Sequence, residues 1–288
     1  MYLGTVGYHR GDWLQLTTEA AAKAAGEGFS VINTPVAAVA EVSEAEVARY
    51  RDLLAEHGLR PGQVNGRYGG GLVSADAPVR EAAIAFVSHL CRLAARVGAP
   101  DVYFRPGSMN PRGAWLPHPQ NRDGAVFDRL VDSATQVCRV AEQEGVRLAV
   151  EGGVVSPLHS PRRLRDFFDA VGSPALGYNQ DPVNLIGSLE LAYDSGALIE
   201  ECFGLLGPLT VGAHLKDFTL VEALLPRFEE ADIGHGMLDH GALLRGMQEH
   251  CPDAHLLIEH IPDDRFPAAR SAILRYAEEV GITWSDAP

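Results

Sequence analysis

Two rhythms of apolar and polar positions take turns along this chain from one end to the other. The first is a short, nearly continuous apolar run, as found in strands buried on both faces. Such runs occur at Leu3–Tyr8, Ser30–Asn33, Gln63–Asn65, Asp101–Arg105, Val146–Glu151, Ala175–Asp181, Val211–Lys216 and His255–His260. The second is a longer stretch with apolar residues at helical spacing. It predicts helices over Thr17–Gly26, Ser43–His57, Pro78–Val97, Val126–Glu144, Pro161–Val171, Leu189–Leu206, Ala242–His250 and Pro267–Val280. In Pro78–Val97, for example, Ile84, Val87, Leu90, Cys91, Ala94 and Val97 fall on one face. The punctuation agrees: Ser43 with Glu46 reads as a capping box, and Gly58, Gly98 and Gly145 stand where helices stop.

Strands that alternate with helices predict a parallel sheet with crossover connections. Eight such units in 288 residues fit a closed (β/α)8 TIM barrel better than an open doubly wound sheet. No composition break marks a second domain, so one domain over residues 1–288 is expected, with its active site at the C-terminal ends of the strands.

Four of the apolar runs end in an ionisable residue that packing alone does not ask for: Glu151, Asp181, His214 and Glu259. One such acid could simply pair with an arginine or cap a helix; four at corresponding strand ends suggest a pocket for one divalent metal ion. Three carboxylates and an imidazole suit Mn²⁺, Mg²⁺ or Co²⁺, with Zn²⁺ possible. Such an ion would polarise the carbonyl of a hydroxy-carbonyl compound and stabilise an enediolate. Glu151 and Glu259 would then be the catalytic acid–base pair.

Other candidates surround this set. Tyr8 and His9 end the first strand, Asn33 the second and Arg105 the fourth, and each is expected at the same mouth or in a structural role. Lys216 either contacts substrate or pairs with a ligand carboxylate. Asp217 would orient Lys216 or a loop, His235 between two glycines would meet substrate, and Asp239 reads as a helix N-cap. Trp115 and His118, in the long loop after the fourth strand, would form a lid over the substrate or an oligomer contact.

The remaining composition narrows the class. A net charge of −14 disfavours a nucleic-acid partner. The start lacks a signal-peptide pattern, and no run approaches the roughly 18 apolar residues of a membrane span. The cysteines Cys91, Cys138, Cys202 and Cys251 lie far apart with no Cys-x-x-Cys pair. A soluble cytoplasmic protein is expected, without membrane or nucleic-acid partners.

The ordered set of motifs resembles the xylose isomerase-like TIM-barrel superfamily of sugar phosphate isomerases and epimerases (AP endonuclease 2-type), which also holds inosose dehydratase and endonuclease IV. The matching pieces are LAVEGG with Glu151, NQDPVNL with Asp181, AHLKDF with His214, Lys216 and Asp217, GHGMLD from Gly234 to Asp239, and LLIEH with Glu259. The resemblance implies that Glu151, Asp181, His214 and Glu259 are the metal ligands. It also implies a sugar or keto-sugar substrate and a possible homo-oligomer. The chain departs from the ketose 3-epimerases of the group at Asn184 and Gly153, where histidine is usual, and at Leu220, where arginine is usual. The expected function is therefore a divalent-metal-dependent isomerase or epimerase working by proton transfer next to a carbonyl. A dehydratase or lyase on a keto-inositol or keto-glycoside is the alternative. An endonuclease IV-like repair enzyme and a non-catalytic sugar-binding barrel stand further off.

Overall fold

The computed structural model describes residues 1–9 and 11–285. Eight parallel strands close into a barrel: β1 (Tyr2–Thr5), β2 (Val31–Val36), β3 (Arg60–Gly66), β4 (Asp101–Phe104), β5 (Arg147–Val150), β6 (Leu176–Gln180), β7 (Thr210–Leu215) and β10 (His255–Ile258). Their order around the barrel is β1-β10-β7-β6-β5-β4-β3-β2. The helices α1 (Thr18–Gly26), α2 (Glu44–Glu56), α3 (Ala77–Val97), α4 (Gly124–Glu144), α5 (Pro161–Val171), α6 (Leu189–Tyr193), α7 (Ser195–Leu206), α8 (His240–His250) and α9 (Phe266–Glu279) surround it. This is the (β/α)8 barrel that the alternating pattern predicts. No helix among the described residues is long and apolar enough to cross a membrane.

Strand alternation sorts the side chains into two sets. Val102 and Phe104, Leu148 and Val150, and Leu256 and Ile258 are fully buried residues of the outward set, packed beneath the helices. Phe104 stacks on Phe167 of α5 at 6.4 Å, and the Tyr178 hydroxyl meets Cys202 of α7. Each such side chain contributes about 1.5–3 kcal/mol by leaving water. The inward set is unusually polar and includes Gln63, Asp101, Asn179, His214 and His255, all buried.

Local chemistry sets several boundaries. The capping box at Ser43 and Glu46 forms as predicted, and Asp239 accepts from the Ala242 amide at the start of α8. The single helix expected over Leu189–Leu206 is instead two. Asp194 caps a fresh start by accepting from the Ala197 amide, which ends α6 one residue earlier. β1 is shorter than expected. Beyond it Tyr8 adopts φ +62° and turns its ring onto Phe29 and Phe266, in the helix layer.

The largest departure from the sequence reading follows β7. In a stretch to which the sequence pattern assigns no element, β8 (Asp217–Val221) and β9 (Arg227–Ala231) form an antiparallel hairpin, paired from Asp217↔Ala231 to Val221↔Arg227. Asp217 anchors its base. Its carboxylate accepts from the amides of Phe218, Gly234, Gly236 and Leu238, and lies 3.4 Å from His240 Nε2. A Cβ at position 236 would fall 2.1 Å from Asp217 Oδ1, so this approach requires glycine.

Asp217→Ala should therefore cost on the order of 3 kcal/mol in urea unfolding, because several amides lose a charged acceptor. Burial opposes the charge of Asp217, but hydrogen bonds from His240 and the loop amides outweigh it and hold the carboxyl below its ordinary 3.8. Its stabilisation is complete above that unfolded value and is lost as pH falls through the lower folded one. The stability difference between wild type and Asp217→Asn should accordingly shrink below about pH 4.

Candidate active site

The strand ends gather the predicted acids at the barrel mouth. Phe104 pairs with Val150, Val150 with Tyr178, Gln180 with Ala213 and Ile258 with Leu215. The next residues in register therefore set Arg105 and Asn179 beside Glu151, His214 beside Asp181 and Lys216 beside Glu259. His214 and Lys216 lie two apart, so both face the interior while Asp217 turns outward to its loop. The result is a buried group of Glu151, Asp181, His214 and Glu259, with one ligand atom from each lying within 4.8 Å of the others.

A chain of hydrogen bonds orients this group. Asn179 Nδ2 donates to Glu151 Oε1 at 3.2 Å, and Gln63 Nε2 donates to Asn179 Oδ1 at 3.5 Å. His214 Nε2 meets Gln63 Oε1 at 3.0 Å. A carboxylate can only accept, so the donor direction is fixed from Glu151 backwards, and His214 must carry its proton on Nε2. In the neutral imidazole Nδ1 is then a lone pair, 2.8 Å from Glu151 Oε1 and 3.3 Å from Glu259 Oε1. Neither contact has hydrogen-bond geometry, and Nδ1 and Asp181 Oδ1 are buried without a hydrogen-bond partner among the described residues. Acceptors that face one another in this way need a proton or a metal cation between them.

With no ion bound, protons fill that role. Burial works against every charge here. For His214 the charges of Glu259 and Glu151 outweigh it and raise the imidazole well above its ordinary value. Lys216 is buried as well, yet Asp181, Glu259 and Glu151 raise it and keep it an ammonium. Its Nζ lies 2.6 Å from Asp181 Oδ2 and 3.2 Å from Glu259 Oε1. Glu151 and Glu259 are held below the ordinary carboxyl range because His214 and Lys216 outweigh burial. Asp181 moves the opposite way. Burial, with the charges of Glu151 and Glu259, prevails over Lys216 and pushes it well up. Without an ion, a protonated His214, the Lys216 ammonium and the proton that Asp181 retains hold the three carboxyl groups together. A divalent cation would take the place of those protons, and the oxygen-rich donor set fits a hard ion.

The surrounding pocket has a volume of about 510 Å³. Its lining includes the expected residues Arg105, Lys216 and Trp115, together with Asn33 and Asn184. Asn184 is committed to its neighbours: Nδ2 donates to Asp181 Oδ2 at 2.8 Å, and Oδ1 accepts from Lys216 Nζ at 2.9 Å. A Cβ at Gly153 would come within 2.7 Å of Trp115 Cζ3, so the indole stands where a side chain at 153 would project. His118 caps a short helix through the Gln120 amide.

Two expected substrate contacts are not brought here. His9 is buried outside the pocket lining, because β1 ends at Thr5 and the chain turns away before reaching it. Burial, opposed by Asp12 and Asp263, pulls its pKa down to about 4. His235 lines a separate cavity with Asp232, Arg265 and the face of α9, because Asp217 draws its loop to the far side of the hairpin.

The sequence reading missed several participants. Tyr103 donates to Glu151 Oε2 at 2.7 Å, and Gln63 and Asn179 orient His214 and Glu151. The signal for them was a polar residue inside an otherwise apolar strand. Phe218, Phe228 and Glu230 of the hairpin wall the mouth. Glu230 reaches across to His260 Nδ1 at 2.8 Å, beside Glu259.

With this geometry in place, comparison identifies the class. The model of the xylose isomerase-like TIM barrel family matches residues 19–279, and the chain belongs to that family. Among solved structures, a xylose isomerase-like TIM barrel protein from Mycobacterium smegmatis in complex with magnesium is 19% identical, with a TM-score of 0.72 over 97% of each chain. D-psicose 3-epimerase in the presence of D-fructose is 17% identical, with a TM-score of 0.72 over 97% of this chain and 99% of its own. A D-tagatose 3-epimerase-like protein is 15% identical, with a TM-score of 0.75 over 98% of both. At these identities the likeness is one of fold. No curated protein matches the sequence.

Replacing Gln63 by leucine removes the acceptor that holds His214. It should weaken Mn²⁺ binding about 10–100-fold in calorimetric titration while the protein stays folded. His214→Ala should weaken binding further; unaltered affinity in both would remove the metal from this site.

Proposed function

We propose that the protein is a divalent-metal-dependent isomerase or epimerase of a sugar or keto-sugar, acting by proton transfer at a carbon beside a carbonyl. The observation that carries this reading is His214 Nδ1 set among Glu151, Glu259 and Asp181 at the C-terminal mouth of the barrel. Fold neighbours that are sugar epimerases support it. Glu151, Asp181, His214 and Glu259 would hold Mn²⁺, Mg²⁺ or Co²⁺. The bound ion supplies the Lewis acidity that polarises the substrate carbonyl and steadies the charge left when the adjacent C–H bond breaks.

The protein side chains do the rest. Glu151 and Glu259 are both ionised at neutral pH, since neighbouring positive charge holds their pKa values down. They come from β5 and β10, with β6 and β7 between them, and so approach a bound sugar from different sides. One takes the proton from carbon and the other returns it. Tyr103 fixes the free oxygen of Glu151, and Lys216 fixes Glu259. Trp115, Phe218 and Phe228 exclude water from the pocket.

A second reading, elimination by a dehydratase or lyase, shares the first proton abstraction. One observation favours keeping it. Asn184 and Gly153 replace histidines usual in the ketose 3-epimerases, and here Asn184 is tied to Asp181 and Lys216.

Proton NMR in D₂O with Mg²⁺-loaded protein and a panel of ketoses, keto-inositols and 3-keto-glycosides tests both readings. Deuterium should appear beside the carbonyl, and the product spectrum separates epimerisation from elimination. Glu151→Gln and Glu259→Gln should each abolish turnover with the melting temperature retained. Full activity in either variant would overturn the two-base scheme.

A further inference from the structure

Among the described residues the pocket holds three cationic or basic side chains besides His214: Arg105, Lys216 and His260. Two already have acidic partners. Lys216 is paired with Asp181 and Glu259, and His260 with Glu230. Glu229, the other acid of the rim, is paired with Arg227 at 2.7 Å. Arg105 makes no ion pair among the described residues. It is nonetheless held in place. Tyr68 grips its backbone, with the hydroxyl donating to the Arg105 carbonyl, and the guanidinium lies 4.9 Å from the Tyr68 ring centroid. Among the described residues only Nη2 has an acceptor, the Gly66 carbonyl at 3.3 Å, and Nε is buried with no partner.

A fixed guanidinium with unused donors, facing a sugar-sized pocket, is the arrangement that recognises an oxyanion. The geometry points to an anionic substrate: a keto-sugar bearing a carboxylate or phosphate, with Arg105 as its specificity-determining contact. The placement agrees. Tyr103 and Arg105 are two apart and face the same side, and the Tyr103 hydroxyl reaches Glu151. Arg105 therefore stands one pleat further out than Tyr103, roughly 7 Å along the strand direction. An anion there belongs to the far end of a short sugar chain whose carbonyl end lies at Glu151 and Glu259. Asn33 and Asn65, joined at 3.3 Å, line the same wall and offer neutral polar contacts to the hydroxyls between.

This inference rests on the sugar reading above but is tested by binding, not turnover. Mg²⁺-loaded wild type, Arg105→Gln and Arg105→Lys are titrated calorimetrically with D-fructose, D-fructose 6-phosphate and 5-keto-D-gluconate, with deuterium exchange followed in parallel. Wild type should bind at least one of the two anions tenfold or more tighter than D-fructose, and which anion wins separates phosphate from carboxylate. Arg105→Gln should erase that preference, weakening anion binding at least tenfold more than it weakens D-fructose binding, and Arg105→Lys should keep part of it. Equal affinity for all three compounds, or a preference that survives Arg105→Gln at full strength, overturns the proposal. An Arg105-dependent preference without exchange in any compound supports the anion site and counts against the proton-transfer reading instead.

Discussion

The site depends on one electrostatic constraint: three carboxyl groups brought together in a buried space around one ammonium and one imidazole. In water such a cluster would disperse. Here the barrel register fixes the backbone of each strand end, so the acids cannot separate. The cost of confining them must be met by positive charge, and Lys216 supplies only part of it. That imbalance makes the position beside His214 Nδ1 attractive to a divalent ion. It also explains why Asp181, the acid with one oxygen unbonded, is the one driven toward its neutral form.

The polar interior of the barrel serves this constraint. Gln63 and Asn179 fill positions where many barrels pack aliphatic side chains, and they transmit orientation from Glu151 to His214. Apolar residues there would pack at least as well but would leave the imidazole free to choose its tautomer. Below them Asp101 and His255 continue the polar column, 3.6 Å apart. Burial raises the pKa of the acid and lowers that of the histidine, and the second effect keeps His255 from adding charge beneath His214.

Much of this was legible in the residues. An acid ending an apolar run is costly unless it has work, and Glu151, Asp181 and Glu259 announced themselves on that ground alone. The Leu189–Leu206 stretch was read as one helix because apolar spacing continues across Asp194; only the competing cap reveals the break. The hairpin escaped because Phe218, Leu220 and Phe228 alternate with polar and charged residues, a pattern that also suits an exposed loop. His9 and His235 lie outside the pocket lining for a different reason. The direction in which a loop leaves a strand is set by distant partners, here Phe266 against Tyr8 and Asp217 against the glycine loop. Tyr103 needed only the observation that it shares a face with Arg105.

Asp217 divides the hairpin into two mechanical parts. Its base is clamped by the carboxylate's bonds to the loop amides, one residue from Lys216 and three from His214. Its outer end, with Leu224 99% and Leu225 84% exposed, projects beyond that clamp. The outer end can therefore change in length and composition without disturbing the ligand set, since the clamp absorbs the difference. A lineage carrying this barrel can recut the roof of its pocket, and with it the range of molecules admitted, while inheriting the same buried cluster beneath.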